Sequence, residues 1–383
     1  MKRWLTKPFL EVANLTRGTE PGSESYIDST AGVRFLRVGD ITGKTDNPVY
    51  TNATQLVLVT EDDLLLALDG TPGHVSTGHC GAICSGIRKV DVLDKRNLSP
   101  GWLRYALKAP DVQATIKQHA RGVTILHASS AVPHIKIPLP PLAEQERIVK
   151  LLDEADELRK LRAQADRRTA DLISALFHEM FGDPVKKTSR LPILPLGEVV
   201  DFGSGATPSK ENPEFWNGRT PWVSPKDMKA EEITDAEDHV SAAAFEKSNL
   251  QLIPKDTVLI VVRGMILAHT VPIRLCRVPV AINQDMKALL PKQPIEPEFL
   301  RWSLQAQHPH LLNQVSTAGH GTKKLDSDRL RAVTIPIPPL PLQKEFAARV
   351  SEIRAAQSEQ SASRRRLENL FQSMLHRAFK GEL

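Results

Sequence analysis

A mixed α/β fold is predicted, with two similar domains separated by two long antiparallel coiled-coil helices. Three features of the 383-residue sequence predict it. The sequence repeats itself at about half its length. Each copy carries short β-type runs punctuated by Gly, Pro, Asn and Asp, and each is followed by a long stretch free of proline and glycine.

Shifted by 187 positions, Pro8, Glu11, Val12, Gly18, Pro21, Glu24 and Asp40 fall on Pro195, Glu198, Val199, Gly205, Pro208, Glu211 and Asp227. The offset grows to 194 where residues 64–70 (Leu-Leu-Leu-Ala-Leu-Asp-Gly) meet 258–264 (Val-Leu-Ile-Val-Val-Arg-Gly). It reaches 198 where the hinge 137–142 (Ile-Pro-Leu-Pro-Pro-Leu) faces 335–340 (Ile-Pro-Ile-Pro-Pro-Leu), with Gln145 on Gln343. A drifting offset is what loop insertions leave in two diverged copies of one fold.

In the first copy, strands are expected at 34–38, 55–59 and 64–68; in the second, at 221–223, 258–262 and 278–282. Short helices are expected over 100–109 and 297–306. Residues 144–182 and 344–381 then run without proline or glycine until Gly182 and Gly381, which serve as C-terminal stops. The chain divides accordingly into a first domain (1–141), a central helix (142–182), a linker (183–194), a second domain (195–341) and a C-terminal helix (342–383).

On the second long helix, Phe346, Val350, Ile353, Gln357, Gln360, Arg364, Leu367, Phe371, Met374 and Ala378 step by alternating four and three residues, a heptad seam. The equivalent line on the first is Ile148, Leu152, Ala155, Arg159, Arg162, Asp166, Thr169, Ile173, Leu176 and Met180. Both seams are apolar at the ends and polar in the middle, so the helices are expected to pair with each other rather than pack separately on their own domains. Parallel and antiparallel pairing fit the seam equally well. Similar domains at the two ends of a rod require the antiparallel one. A helix of this length spans roughly 57 Å, a ruler suited to two separated half-sites on one duplex.

Composition bounds the rest. Net charge is +5, and Lys/Arg against Asp/Glu runs 16 to 13 over residues 1–141, 19 to 18 over 183–341 and 8 to 5 over 342–383. No basic tail drives non-specific binding to a polyanion. The strongest apolar run, 258–262, is broken at once by Arg263 and Gly264, so no membrane span is expected. The charged first eight residues have no apolar stretch behind them that would make a signal peptide. Three cysteines cannot build a disulfide framework and point to the cytoplasm. No dinucleotide fingerprint, phosphate-binding loop, amino-methyl-transfer motif or nuclease cluster is present, so no catalytic residue is expected. His74, His79, Cys80 and Cys84 lie close together, yet no second cysteine pair completes a zinc site; a loop with small buried thiols is the better reading, and no metal is expected.

Segment 137–149 (Ile-Pro-Leu-Pro-Pro-Leu-Ala-Glu-Gln-Glu-Arg-Ile-Val), junction 175–184 (Ala-Leu-Phe-His-Glu-Met-Phe-Gly-Asp-Pro) and end 375–383 (Leu-His-Arg-Ala-Phe-Lys-Gly-Glu-Leu) resemble specificity subunits of type I restriction–modification systems. The opening 196–208 resembles the start of that family's target-recognition domains closely, and 9–21 more loosely. Asn283-Gln284-Asp285 and the late turns at 122–124 and 321–322 also match, so the resemblance covers essentially the whole chain. It implies two target-recognition domains, each reading half of a split double-stranded DNA target, with the helices setting the gap. It also implies two methyltransferase subunits and restriction/translocase subunits as partners. S-adenosylmethionine, ATP and Mg would sit on those partners, none on this chain. The assembled complex would be a site-specific deoxyribonuclease and adenine-specific DNA methyltransferase.

The resemblance does not transfer base-reading residues, because recognition loops differ between members. Chemistry favours polar side chains around the Gly70 and Gly264 loops and the late turns. Candidates are Thr71, His74, Ser76, Arg88 and Thr124 in the first domain, and Arg263, His269, Thr270, Asn283, Gln284, Thr322, Lys323 and Lys324 in the second. Each could instead touch a phosphate or make a structural hydrogen bond. The Gly70-Thr-Pro-Gly-His74 loop is either a plain turn or one facing DNA phosphates. Arg364, Arg365 and Arg366 form a solvated or partner-facing patch, or lie near the DNA backbone. The apolar seam positions Ile148, Leu152, Ala155, Ile173, Leu176, Met180, Phe346, Val350, Ile353, Leu367, Phe371 and Met374 are expected at the helix pair or a partner. The reading lines of the two domains differ, which predicts an asymmetric target. The rival reading is a coiled-coil interaction scaffold that binds no DNA.

Overall fold

The computed structural model describes residues 4–28, 31–45, 47–186, 191–318 and 321–383; positions 1–3 of the expected first domain and 187–190 of the expected linker lie outside them. The chain forms two compact units, one of Met1–Gln164 with Ala362–Leu383 and one of Ala165–Ser361. Among the described residues, no helix is long and apolar enough to cross a membrane.

Both units are mixed α/β and repeat one topology. In the first, an antiparallel sheet is ordered Ala13–Arg17, Ile87–Val92, Leu64–Ala67, Val75–Ser76. In the second, the same order is Val200–Ser204, Met286–Pro291, Thr257–Val261, Ile273–Cys276, with Glu232–Ile233 added in parallel at the edge. The runs Leu64–Ala67 and Thr257–Val261 are buried along their whole length, as inner strands covered on both faces must be. A further sheet in each unit pairs Val33–Leu36 with Gly81–Ile83, or Thr220–Val223 with Ala281–Ile282, in parallel. Chain entry and exit close each unit, Leu5–Pro8 against Lys136–Leu139 and Ile193–Pro195 against Thr334–Pro336. The strand expected over 278–282 shrinks to Ala281–Ile282 because Pro279 offers no N–H to a ladder.

The sequence identities now have physical causes. Gly18 and Gly205 run against neighbouring backbone: a Cβ would stand 2.1 Å from the Cys84 carbonyl in one and 2.0 Å from the Asn283 carbonyl in the other. Asp40 and Asp227 each accept a backbone N–H three residues back, from Arg37 at 2.8 Å and from Ser224 at 2.9 Å, capping a short turn. Gln145 and Gln343 are buried in the hinges. Gln145 accepts the Ser99 N–H at 2.9 Å and donates to the carbonyls of Asn97 and Pro140, both at 2.8 Å. Gln343 accepts the Glu296 N–H at 2.9 Å and donates to Pro338 O at 2.8 Å. Gln145→Leu is therefore expected to cost about 1–3 kcal/mol, because it strands these partners without removing their need. A lowered urea midpoint at unchanged far-UV signal is the readout.

The long helices are α1 (Leu142–Ala170), α2 (Leu172–Phe181) and α3 (Leu340–Lys380). In each unit their segments run antiparallel. Arg147 reaches the carbonyl of Leu383 and Arg159 the carboxylate of Glu368 in the first unit. In the second, Thr169 meets Gln360 at 3.0 Å, and the rings of Phe181 and Phe346 lie 5.4 Å apart. Gly182 and Gly381 end α2 and α3 with positive φ, 75° and 71°.

The expected unbroken central helix is interrupted at Asp171, with no proline or glycine to announce it. The Gln357 amide takes the carbonyl of Thr169 at 2.8 Å, the acceptor that Ile173 N–H would otherwise use. The heptad seam also shifts. Phe177 and Phe181 are fully buried where Leu176 and Met180 were expected and are only half-buried; Leu375 is buried beside half-buried Met374; Arg364 is exposed. A 3.5-residue repeat drifts by roughly 20° per heptad on a straight helix, and the Asp171 break resets the phase of α2. Ile148, Leu152, Ile173, Phe346, Val350 and Phe371 are buried, while Ala155, Ile353 and Leu367 are half-buried.

Candidate nucleic-acid interface

In each unit, a glycine loop following the buried inner strand is laced to the late turn. In the first, Gly70 N–H donates to Leu126 O at 2.8 Å, and Asp69 Oδ1 meets His127 Nδ1 at 2.8 Å. Arg121 and His127 exchange two backbone hydrogen bonds, closing a neck from which residues 122–126 project. The other side of the Gly70 loop is held by Gln113, whose amide donates to Gly73 O at 2.9 Å. In the second unit, Gly264 N–H donates to Lys323 O at 3.0 Å, and Arg263 bridges Lys324 in the hairpin of Ser316–Thr317 and Lys323–Lys324. The backbone N–H groups of Val262 and Arg263 both reach the Asp285 carbonyl. The equivalent loops thus meet at equivalent places.

The candidates of the first unit divide sharply. Thr124 is exposed on the projecting turn, and Thr71 is half-buried in the Gly70 loop. His74 Nε2 is engaged by the Ile41 carbonyl at 2.9 Å; Ser76 lies on a strand and bonds His79 at 2.5 Å. Arg88 is interior. Its guanidinium holds Asp69 at 3.3 Å, Ser129 Oγ at 3.2 Å and the Ser85 carbonyl, and burial pulls its pKa below the ordinary arginine value. Its place is beneath the loop, fixing the carboxylate that also holds His127.

The candidates of the second unit sit closer to the surface. Arg263, His269 and Gln284 are exposed, Gln284 hydrogen-bonded to Thr207. Thr322, Lys323 and Lys324 are half-buried on the hairpin; Lys323 donates to Thr317 Oγ1 at 2.8 Å, and Lys324 pairs with Asp326 at 2.7 Å, which pulls the Asp326 carboxyl below its usual range. Asn283 is buried and shapes its own turn through Asp285. Thr270 bonds His308 Nε2 at 3.0 Å.

Sequence reasoning passed over Asp69, Arg121 and His127, and the apolar side chains at the tips: Val123, Ile125 and Leu126 in the first unit, Met265 and Ile266 in the second, all exposed. Apolar residues inside glycine-marked turns were the available signal.

His308 supplies a pH prediction. Its Nε2 accepts the Val271 N–H at 3.0 Å, which requires a neutral ring, and burial followed by the charge of Arg274 lowers its pKa below 6.5. The unfolded chain gains a proton that the folded ring refuses, so this stabilisation is present above pH 6.5 and fades as pH falls below it. Urea midpoints should decline between pH 7.5 and 5.5, and more shallowly in His308→Gln.

A sequence model of the family described as the type I restriction modification DNA specificity domain matches residues 1–166 and 193–368. The EcoR124I/EcoR124II specificity subunit of Escherichia coli is 33% identical over 214 residues, 53% of this chain and 52% of that subunit, so the match spans about half the length of each. The EcoBI specificity subunit of Escherichia coli is 23% identical over 99% of this chain and 86% of its own. Among solved structures, a chain from a study of complex assembly and conformational transition in a type I restriction–modification system aligns with TM-score 0.65 at 20% identity, covering 99% of this chain and 98% of its own. The S subunit of M. genitalium aligns with TM-score 0.57 at 18% identity, over 98% and 96%. These two likenesses establish a shared fold.

Proposed function

The chain belongs to the type I restriction modification DNA specificity family, and from that premise we propose that it is the non-catalytic reader of a bipartite, asymmetric duplex DNA target. Domains 1–141 and 195–341 each read one half-site, and helices 142–182 and 342–383 set the gap. Two methyltransferase subunits and restriction/translocase subunits dock on it and carry the S-adenosylmethionine, ATP and Mg chemistry, adenine methylation and DNA cleavage.

The observation that carries this reading is the paired lacing of loops. Gly70 with the turn at 122–126, and Gly264 with the paired strands Ser316–Thr317 and Lys323–Lys324, repeat one geometry while presenting different side chains. A constant frame with variable tips is what reading two different sequences requires. Arg263, Gln284, Lys323 and Lys324 supply donors for guanine, adenine or phosphate in the second domain; Thr71 and Thr124 are the polar candidates left at the tip of the first.

The test is to co-express the chain with its methyltransferase subunit and map methylated adenines across the host DNA. One bipartite motif should appear, and it should vanish when this chain is deleted. Methylation that persists unchanged would remove the reading role and leave a protein-docking scaffold.

A further inference from the structure

We infer that Val123, Ile125 and Leu126 form an apolar reading tip that seats against thymine methyl groups in the major groove of the first half-site. This rests on the DNA-reading role just proposed and goes further by naming the base feature read and the side chains that read it.

The tip is unusual for a solvent-facing turn. Val123 is fully exposed, and Ile125 and Leu126 are 54% and 42% exposed, three aliphatic side chains within four residues. A projecting turn gains nothing from such residues unless something covers them. The neck beneath is firm. Arg121 and His127 close it, Ala128 N–H donates to Leu68 O at 2.8 Å, and Asp69 clamps His127. The apolar side chains are therefore presented by a fixed support.

Continuity decides the occupant. Leu126 O is bonded to Gly70 N–H, so whatever contacts the Gly70 loop meets this tip. At the equivalent place in the second unit, the late hairpin carries Lys323 and Lys324, suited to a phosphate or a guanine edge. On the same support Leu126 stands where Lys323 stands in the second unit, an aliphatic in place of a cation, while His127 stands where Lys324 does. The apolar feature a stacked duplex shows in its grooves is the thymine C5-methyl. Reading it requires no unstacking, and the contact releases no counterions.

The test uses the complex of the full chain with its methyltransferase subunits and duplexes carrying the mapped target. The first half-site must contain an A·T pair; a half-site of G·C pairs alone overturns the proposal. Replacing its thymines by deoxyuridine removes only the methyl, and wild-type affinity should fall about fourfold per methyl contacted. The double variant Val123→Ser with Ile125→Ser should bind thymine and uracil duplexes alike, while its salt dependence and its response to changes in the second half-site stay those of the wild type. The conservative pair Val123→Ile with Ile125→Val should keep the discrimination.

Wild-type binding that is blind to uracil, or a serine variant that still discriminates, overturns the tip assignment while leaving DNA reading intact. Loss of the methyltransferase subunit from the serine variant, with thymine discrimination kept, assigns the tip to a protein partner and also overturns it. A wild-type complex that reads no motif at all refutes the underlying role instead.

Discussion

Replacing Glu298 with glutamine is expected to destabilise the second unit by about 3–5 kcal/mol, the cost of breaking a buried ion pair from one side. Glu298 stands on the helix Pro297–Gln305 and is 5% exposed. It accepts two hydrogen bonds from Arg354 of α3, at 2.6 and 3.1 Å, and one from Arg277 at 3.2 Å. Arg301, 2% exposed, lies with Nη1 3.6 Å from Glu298 Oε2, an ion pair too long for a hydrogen bond. Its other carboxylate, Glu231, is 3.5 Å away and largely exposed. Removing the charge of Glu298 would leave Arg301 buried against an anion shared with water. Hydrogen exchange should accelerate across 274–304 and 340–358, and the urea midpoint should fall. If the loss comes from the stranded charge, the double variant Glu298→Met with Arg301→Met recovers at least half of it. If it comes from packing, the double variant is worse than the single one.

The same junction in the first unit reverses the signs. Arg104 and Tyr105, on the helix Pro100–Lys108, both hold Asp153 of α1, the Tyr105 hydroxyl at 2.7 Å. No pattern of apolar residues encodes such a junction, since an arginine that pairs inside reads the same as one facing water. This is why the repeat, the hinges, the buried inner strands and the two helix stops were legible in the sequence while the ion networks were not. Arg88 shows the same limit. A charged residue near a glycine loop suggested DNA contact, and the fold buries it on Asp69. The Asp171 break and the shifted seam were illegible for a different reason. They arise from Gln357 capturing a carbonyl across the helix pair and from accumulated phase drift, neither of which is local. The aliphatic tip at 123–126 was open to view, but polar side chains drew the reading of the turn. Exposed apolar atoms become informative only once the neck beneath them is seen.

Exchanging residues 1–141 for the matching domain of a family member with a different target should rewrite one half of the methylation motif and leave the other half and the gap unchanged. The boundary is physically suitable. Leu5–Pro8 pairs with Lys136–Leu139, so the exchanged piece enters and leaves through one two-stranded ribbon. Gln145, just beyond it, bonds only backbone groups at 97, 99 and 140, a demand any member with the same hinge meets. The contacts most at risk are the buried rings of Trp102 and Tyr105, which pack on Phe379 and Phe371 of α3, so the donor must keep large apolar side chains there. Loss of Arg104–Asp153 would cost little, because Asp153 is half exposed at 49%. The gap should hold because α1, α2 and α3 are untouched. Methylated-adenine mapping in cells carrying the chimera reads all three parts of the motif at once. A change in both halves would mean that the domains do not read independently. A change in the gap alone would place spacing, rather than base identity, in residues 1–141.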